Sequence, residues 1–221
     1  MLAFGDNQRG MDARARMVAD QIQSRGVRDP RVLNALRRVP RESFIPQEHR
    51  AQAFEDHPVL IGCGQTISQP YIVGYMTDAL KVEPTHRVLE IGTGCGYQTA
   101  VLAELAETVY SVELIDELAE RARHALDGLG YANVHVRAGD GYAGWPEHAP
   151  FDRILAAAAP PEIPPALLDQ LAEEGILVIP VGVGAQELRV LQKHRGTIEL
   201  LSTLPVRFVP MIRPGDRPGG V

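Results

Sequence analysis

The stretch "RVLEIGTGCGYQTAVLAELAETVYSVEL", residues 87–114, decides the fold. It opens with a short apolar run of strand length, RVLEIG, which glycines 92, 94 and 96 interrupt. YQTAVLAELA then follows at helical spacing, and TVYSVEL (108–114) reads as a second strand. Strand, glycine turn, helix and strand make a crossover unit, and such a unit joins parallel strands with a right-handed connection. The alternation continues downstream. DELAERARHALDGLG (116–130) reads as a helix, NVHVRAGD (133–140) and FDRILAAAA (151–159) as strands, PPALLDQLAEEG (164–175) as a helix closing on Gly175, and ILVIPVGV (176–183) as a strand. These strands are apolar without alternation, as expected of a sheet covered on both faces. After residue 185 the helices stop. ELRVLQKHRG (187–196) and TIELLSTLPVRFVPMI (197–212) meet near Gly196 and predict an antiparallel hairpin, leaving open which of the two lies at the sheet edge. The expected fold is α/β: a doubly wound, mostly parallel seven-stranded sheet with helices on both faces, an antiparallel C-terminal hairpin and an N-terminal helical extension.

Upstream, Met11, Ala15, Val18 and Ile22 predict the apolar stripe of a first helix ending near Gly26. Asp29 and Pro30 open a second, carrying Val32, Leu33 and Leu36, that stops before Pro40. In GCGQTISQPYIVGYMTDAL (62–80), Pro70 falls in the first turn of a third helix, with Ser68 as the expected N-cap, an arrangement worth about 1 kcal/mol. A helix N-terminus also attracts anions, so the notch at Thr66 and Ser68 is a candidate site as well. Residues 1–80 are therefore expected to form a helical extension with a substrate notch, 81–213 the core, and 214–221 a loose tail.

Composition narrows the classes. The chain has 221 residues, 45% of them hydrophobic, and no run near the roughly 20 apolar residues of a membrane span. The expectation is a cytoplasmic monomer with no membrane partner. Residues 1–41 hold nine arginines and four aspartates, a net of +5, while the remainder holds 13 basic and 24 acidic residues, a net of −11. So acidic a body disfavours nucleic acid as a partner, and the arginines are expected to form a solvated helical face. Cys63 and Cys95 fit no zinc or redox spacing, and the seven histidines form no ligand motif, so no metal is expected. A nucleophilic pair of Cys63 with His57 is a minor alternative, and Trp145 reads as a packing residue.

In this fold ligands bind beyond the carboxyl ends of the strands, beside the first. There the chain reads Glu90-Ile91-Gly92-Thr93-Gly94-Cys95-Gly96. A dinucleotide turn needs glycine or alanine five residues after the first glycine, where this chain has Tyr97, and the lysine of a P-loop is missing. Glu113 ends the second strand, where a carboxylate can accept both ribose hydroxyls, and Asp140 ends the third in GDG, suited to an amino group. Glu90 would oppose a pyrophosphate but suit a cation. Three acids at successive strand ends favour S-adenosylmethionine, a sulfonium attached to adenosine, over NAD.

VLEIGTGCGYQTAVLAEL with GDG resembles a class I methyltransferase. GQTISQP, AAPPEIPPALLDQL, GILVIPVG and VRFVPM resemble the bacterial protein-L-isoaspartate O-methyltransferase family, from about Met17 to Met211. The resemblance implies methyl transfer from S-adenosylmethionine to the free α-carboxylate of L-isoaspartyl residues in damaged peptides and proteins. The ester then collapses to a succinimide, whose hydrolysis returns some aspartyl linkages. It also implies an active-site role for Ser68, with Thr66 beside it, and cofactor binding by Gly92, Gly94, Gly96, Glu113, Asp140 and Gly141. The alternatives are a methyltransferase acting on a small molecule or RNA, and a nucleoside-binding module or dehydrogenase.

Overall fold

The computed structural model describes residues 2–215, with side chains from residue 10. Helix α1 (Leu2–Met17) runs on through a wide turn, Val18–Ile22, and a tight one, Gln23–Arg25, to Gly26 at φ 102°. Glycine adopts that left-handed conformation at no steric cost, and the helix stops there. The buried stripe differs from the one expected. Met17, Val18 and Ile22 are buried, but Met11 and Ala15 are exposed and Arg14 takes the inward position. The reason is electrostatic: Arg14 Nη1 donates to the Arg38 carbonyl at 3.2 Å, at the negative end of the next helix. That helix, α2 (Pro30–Arg38), is capped by Asp29, whose carboxylate accepts from the Arg31 N–H at 2.8 Å.

A two-stranded ribbon follows, β1 (Val59–Gly62) with β2 (Gln65–Ile67), which periodicity alone did not predict. Helix α3 (Pro70–Leu80) comes next. Its N-cap is Gln69, not Ser68, and no side chain caps it. Pro70 is the first helical residue, and a proline forces its predecessor into extended backbone, so the boundary falls at Gln69 (ψ 137°). Ser68 is left in the turn that leads into the helix.

The main sheet comprises β3 (Arg87–Ile91), β4 (Thr108–Glu113), β5 (Val134–Ala138), β6 (Phe151–Ala156), β7 (Leu171–Val181), β8 (Gln186–His194) and β9 (Thr197–Val206). The spatial order is β5-β4-β3-β6-β7-β8-β9. The first five are mutually parallel; β8 runs against β7, and β9 against β8. The seven-stranded, mostly parallel sheet is thus as expected, and β9 is the edge that the sequence left undecided. The β8–β9 turn uses Arg195 and Gly196, both at positive φ, the geometry that matches strand twist.

Helices α4 (Tyr97–Ala103), α5 (Asp116–Gly128) and α6 (Pro165–Asp169) make the crossovers. The expected helix over 164–175 shrinks to the five residues of α6. Leu171 pairs with Phe151 as the first residue of β7, and residues 172–175 bulge before Ile176 regains register opposite Arg153. Helical spacing in LLDQLAEE yields here to strand pairing.

Successive β3 residues feed opposite faces of the sheet. Val88 joins a core with Met17, Leu36, Val73, Leu80 and Leu126, which welds α1–α5 onto one face. Leu89 and Ile91 join Phe151, Ile154 and Leu167 on the other, where α6 and the 141–148 segment form a thinner cover. Trp145 packs there edge-on to Tyr110. Among the described residues no helix is long and apolar enough to cross a membrane.

Gly74 lies where α3 meets α1's continuation, and a methyl there would stand 2.6 Å from Ile22 Cγ2. Gly74→Ala should lower the unfolding free energy by roughly 1–3 kcal/mol through overpacking. Gly128→Ala, whose added methyl meets nothing within 4 Å, should be neutral or stabilising by at most about 1 kcal/mol. Urea unfolding of both variants checks the contrast.

Candidate active site

A cleft opens at the carboxyl ends of β3 and β4, with about 940 Å³ of empty space when its open mouth is included. Its floor is the glycine turn after β3. Gly92, Gly94 and Gly96 sit at φ 91°, 56° and 91°, so the turn needs residues free to enter the left-handed region. Gly92 donates to the Val112 carbonyl at 2.8 Å and Gly94 to Glu113 Oε2 at 2.8 Å, fastening the turn to β4. Gly92 and Gly94 line the cleft, whereas Gly96 faces α5, where an added methyl would stand 3.3 Å from Leu126. The Gly96 position thus serves helix packing.

Glu113 ends β4 with its carboxylate at the cleft wall, 7% exposed. One oxygen accepts from Gly94 and the other from the Ile115 N–H at 3.0 Å, and each keeps a further lone pair. Glu90 is placed differently. It lies beneath the turn, wholly buried and outside the cleft lining, with Oε2 accepting from Thr99 at 2.5 Å and Ser111 at 2.6 Å. Thr93, a cleft residue, extends the chain by a 2.6 Å contact with the Ser111 hydroxyl. Burial outweighs these hydrogen bonds and pushes the Glu90 carboxyl up to about 7. Asp140 caps the short turn after β5, accepting from the Tyr142 N–H at 2.9 Å, and lies outside the lining, while the adjacent Gly141 is part of it.

The opposite wall is β2 and the turn after it, which bring Thr66 and Ser68 to the cleft. A third wall, Val209–Ile212, comes from the chain's return after β9. It is pinned to Ala159, which donates to Val209 and accepts from Met211 (2.9 and 2.8 Å), and by Tyr142 Oη to the Met211 carbonyl at 2.9 Å. Sequence reasoning placed VRFVPM in a family motif without giving it a wall. It also missed Thr93 and Tyr97 as lining residues, although both lie in or beside the glycine turn. Among the described residues Glu113 is the only charged side chain that lines the cleft, and no lysine or arginine does.

The other candidates fall away from the cleft. His57 is held by Glu55 at 2.7 Å and by the Pro58 carbonyl. Burial, with Glu117 nearby, pushes the Cys63 thiol up, which makes it a poor nucleophile. Glu173, Glu174 and His194 bring ligand atoms within 4.8 Å of one another, but they sit at the start of β7 and the end of β8, the end of the sheet away from the cleft.

Comparison with known proteins bears on this geometry. The family described as Protein-L-isoaspartate(D-aspartate) O-methyltransferase matches residues 12–215. The chain belongs to that family. A protein-L-isoaspartate O-methyltransferase of Picosynechococcus is 55% identical over 198 residues, covering 90% of this chain and 89% of the relative. That of Gloeobacter violaceus is 52% identical over 199 residues, covering 89% and 97%. Among solved structures, one protein-L-isoaspartate O-methyltransferase superposes with a TM-score of 0.83 at 27% identity, over 93% of this chain and 67% of that one. A Plasmodium falciparum structure described as the same kind of enzyme, in complex with S-adenosyl-L-homocysteine, superposes with a TM-score of 0.77 at 25% identity, over 90% and 98%. This isoaspartate methyltransferase fold therefore carries its cleft at the glycine turn, between the Thr66–Ser68 turn and the C-terminal return.

The buried Glu90 gives this member of the family a stability signature. The folded chain holds that proton up to about pH 7, whereas an unperturbed glutamate releases it near 4.5. Between those values the folded state binds more protons, so stability falls as pH rises. Glu90→Gln should flatten this decline, an effect of up to about 3 kcal/mol, when unfolding free energy is compared at pH 4.5 and pH 8.

Proposed function

We propose that this chain transfers a methyl group from S-adenosylmethionine to the free α-carboxylate of L-isoaspartyl residues in damaged peptides and proteins. The observation that carries this reading is the charge of the cleft: a glycine-floored site whose one charged lining group, among the described residues, is the Glu113 carboxylate. A pyrophosphate would find no cation there, whereas a nucleoside carrying positive charge finds an acid and apolar walls. Membership of the family supplies the acceptor. In this reading residues 1–80 present the acceptor, residues 81–213 hold the donor, and the protein acts as a cytoplasmic monomer. Its acidic body supports a protein acceptor over a nucleic acid one.

The residues fit the cofactor. Glu113 accepts the two ribose hydroxyls with the lone pairs left by Gly94 and Ile115, and Gly92, Gly94 and Gly141 let the ligand lie against backbone. Asp140 at the rim receives the adenine amino group, while Glu90 and Gly96 act from beneath by holding the turn. S-adenosylmethionine supplies an electrophilic methyl on a cationic sulfur. On the acceptor side, Ser68 and Thr66 donate hydroxyl hydrogens to the carboxylate, beside the N-terminus of α3.

No base is needed, because a carboxyl of ordinary pKa near 4 is already ionised at neutral pH. The chain's task is alignment. Fixing the carboxylate oxygen in line with the methyl supplies roughly 7–11 kcal/mol through proximity and orientation. Ile91, Val112, Met76 and Met211 keep the walls apolar, and excluding water strengthens the attraction between anionic acceptor and cationic donor.

Two peptides differing only in aspartyl versus isoaspartyl linkage test the reading: base-labile methyl should enter the isoaspartyl peptide alone. Methylation of neither peptide, or of a hydroxyl or amine acceptor in base-stable form, would overturn it. A hydrogen bond to a charged group is worth about 1.5–3 kcal/mol, so Ser68→Ala should lower kcat/KM roughly ten- to a hundredfold. Its Kd for S-adenosylmethionine, measured calorimetrically, should stay near the wild-type value. Glu113→Ala should do the reverse, weakening cofactor binding first.

A further inference from the structure

Among the described residues Arg41 is the largest fully buried side chain, at 0% exposure, and nothing in the reaction above uses it. It lies in the tight turn Arg41–Phe44 after α2. Its guanidinium forks: Nε donates to the Ala53 carbonyl and Nη2 to the Ser68 carbonyl, both at 2.8 Å. The guanidinium carbon stands 4.8 Å from the ring centre of Tyr97, another cleft residue. Among the described residues Nη1 meets no acceptor in good hydrogen-bond geometry, and the buried Tyr97 hydroxyl is the polar group that faces the guanidinium. Among the described residues no ion pair neutralises the charge: Glu42, its neighbour in sequence, turns to Arg14 at 3.9 Å.

Burying a cation without a carboxylate costs several kcal/mol, and an apolar side chain would fill the same volume without that cost. The charge does, however, stand directly behind two lining residues of a cleft that has no cation among its described residues and whose proposed acceptor is an anion. The fork also turns the Ser68 carbonyl oxygen toward Arg41; an oxygen aimed into the notch would repel a carboxylate.

On the functional reading given above, we propose that Arg41 is a positioning residue for the acceptor carboxylate. It acts through Ser68, holding the 66–68 turn with its hydroxyls toward the cleft and its carbonyl away. Its fixed charge makes the notch selective for an anion. Methyl transfer turns the carboxylate into a neutral ester, so this charge stabilises bound substrate more than product. Its effect falls on acceptor binding rather than on the chemical step.

The test uses the full-length chain, S-adenosylmethionine, an isoaspartyl peptide, and its isoasparaginyl counterpart, in which a neutral carboxamide replaces the α-carboxylate. With the two peptides as competing ligands, the wild type should prefer the carboxylate by about tenfold or more. Arg41→Met and Arg41→Gln, both neutral, should raise KM for the isoaspartyl peptide about tenfold and change kcat less than about threefold. The same variants should hold Kd for S-adenosylmethionine within about twofold and bring the two peptides within about threefold of each other. Arg41→Lys, which retains the charge, should restore most of the preference. A wild type indifferent to the two peptides overturns the proposal without any variant, so the test stands even if the neutral forms do not fold. A folded neutral variant that keeps the preference, or a KM and cofactor Kd that rise together, also overturns it. A wild type that methylates no isoaspartyl peptide would instead bring down the functional reading on which the proposal rests.

Discussion

The cleft depends on one fastening, between the backbone of the glycine turn and the carboxylate that ends the neighbouring strand. Gly94 gives its N–H to Glu113, Gly92 gives its own to Val112, and the turn is fixed against β4 in a conformation that side chains with a Cβ resist. Beneath it, Thr93, Ser111, Glu90 and Thr99 form a buried hydroxyl and carboxyl chain that crosses from β4 through β3 to α4. The floor is therefore fastened from the side and from beneath by the protein's own hydrogen bonds. A reaction that works by alignment needs that, since a donor held loosely by one ångström forfeits much of the gain from orientation.

The Thr66–Ser68 side of the cleft is built by a different part of the chain. The ribbon β1–β2 and helix α3 bring Thr66 and Ser68 to the cleft, and α1 and α2 support them from behind through the same core that holds the sheet. The arginines of this region divide into two kinds. Arg25 and Arg31 pair with acids at the surface, where such pairs contribute little. Arg14 and Arg41 are buried and give their hydrogens to carbonyls at chain junctions, the end of α2 and the turn at Ser68. The latter two set the shape of the extension.

The sequence announced the sheet clearly because each of its signals is local: apolar runs of strand length, glycines between them, and helical spacing in the connections. Glu113 and the glycines at 92 and 94 were legible for the same reason, since strand ends of a parallel sheet converge on one edge. Local spacing misled where pairing at a distance took over. Leu171 reads as helical from its neighbours and becomes a strand residue because Phe151 lies opposite. Ser68 reads as a cap by type, but Pro70 fixes the boundary one residue later. Charge misled once: nothing local distinguishes Arg14 and Arg41 from their solvated neighbours, since the carbonyls that receive them lie 24, 12 and 27 residues away. Glu90, picked out by its place at a strand end, and Gly96, picked out by motif, support the turn rather than face the cleft.

The third wall of the cleft comes from the chain's last described stretch. Val209 and Met211 dock on Ala159, and the strand that delivers them, β9, is the outermost of the sheet. The floor, by contrast, is tied to β3 and β4 in the middle of the sheet. Any loosening of that outermost strand therefore reaches the cleft through this wall first and leaves the floor in place.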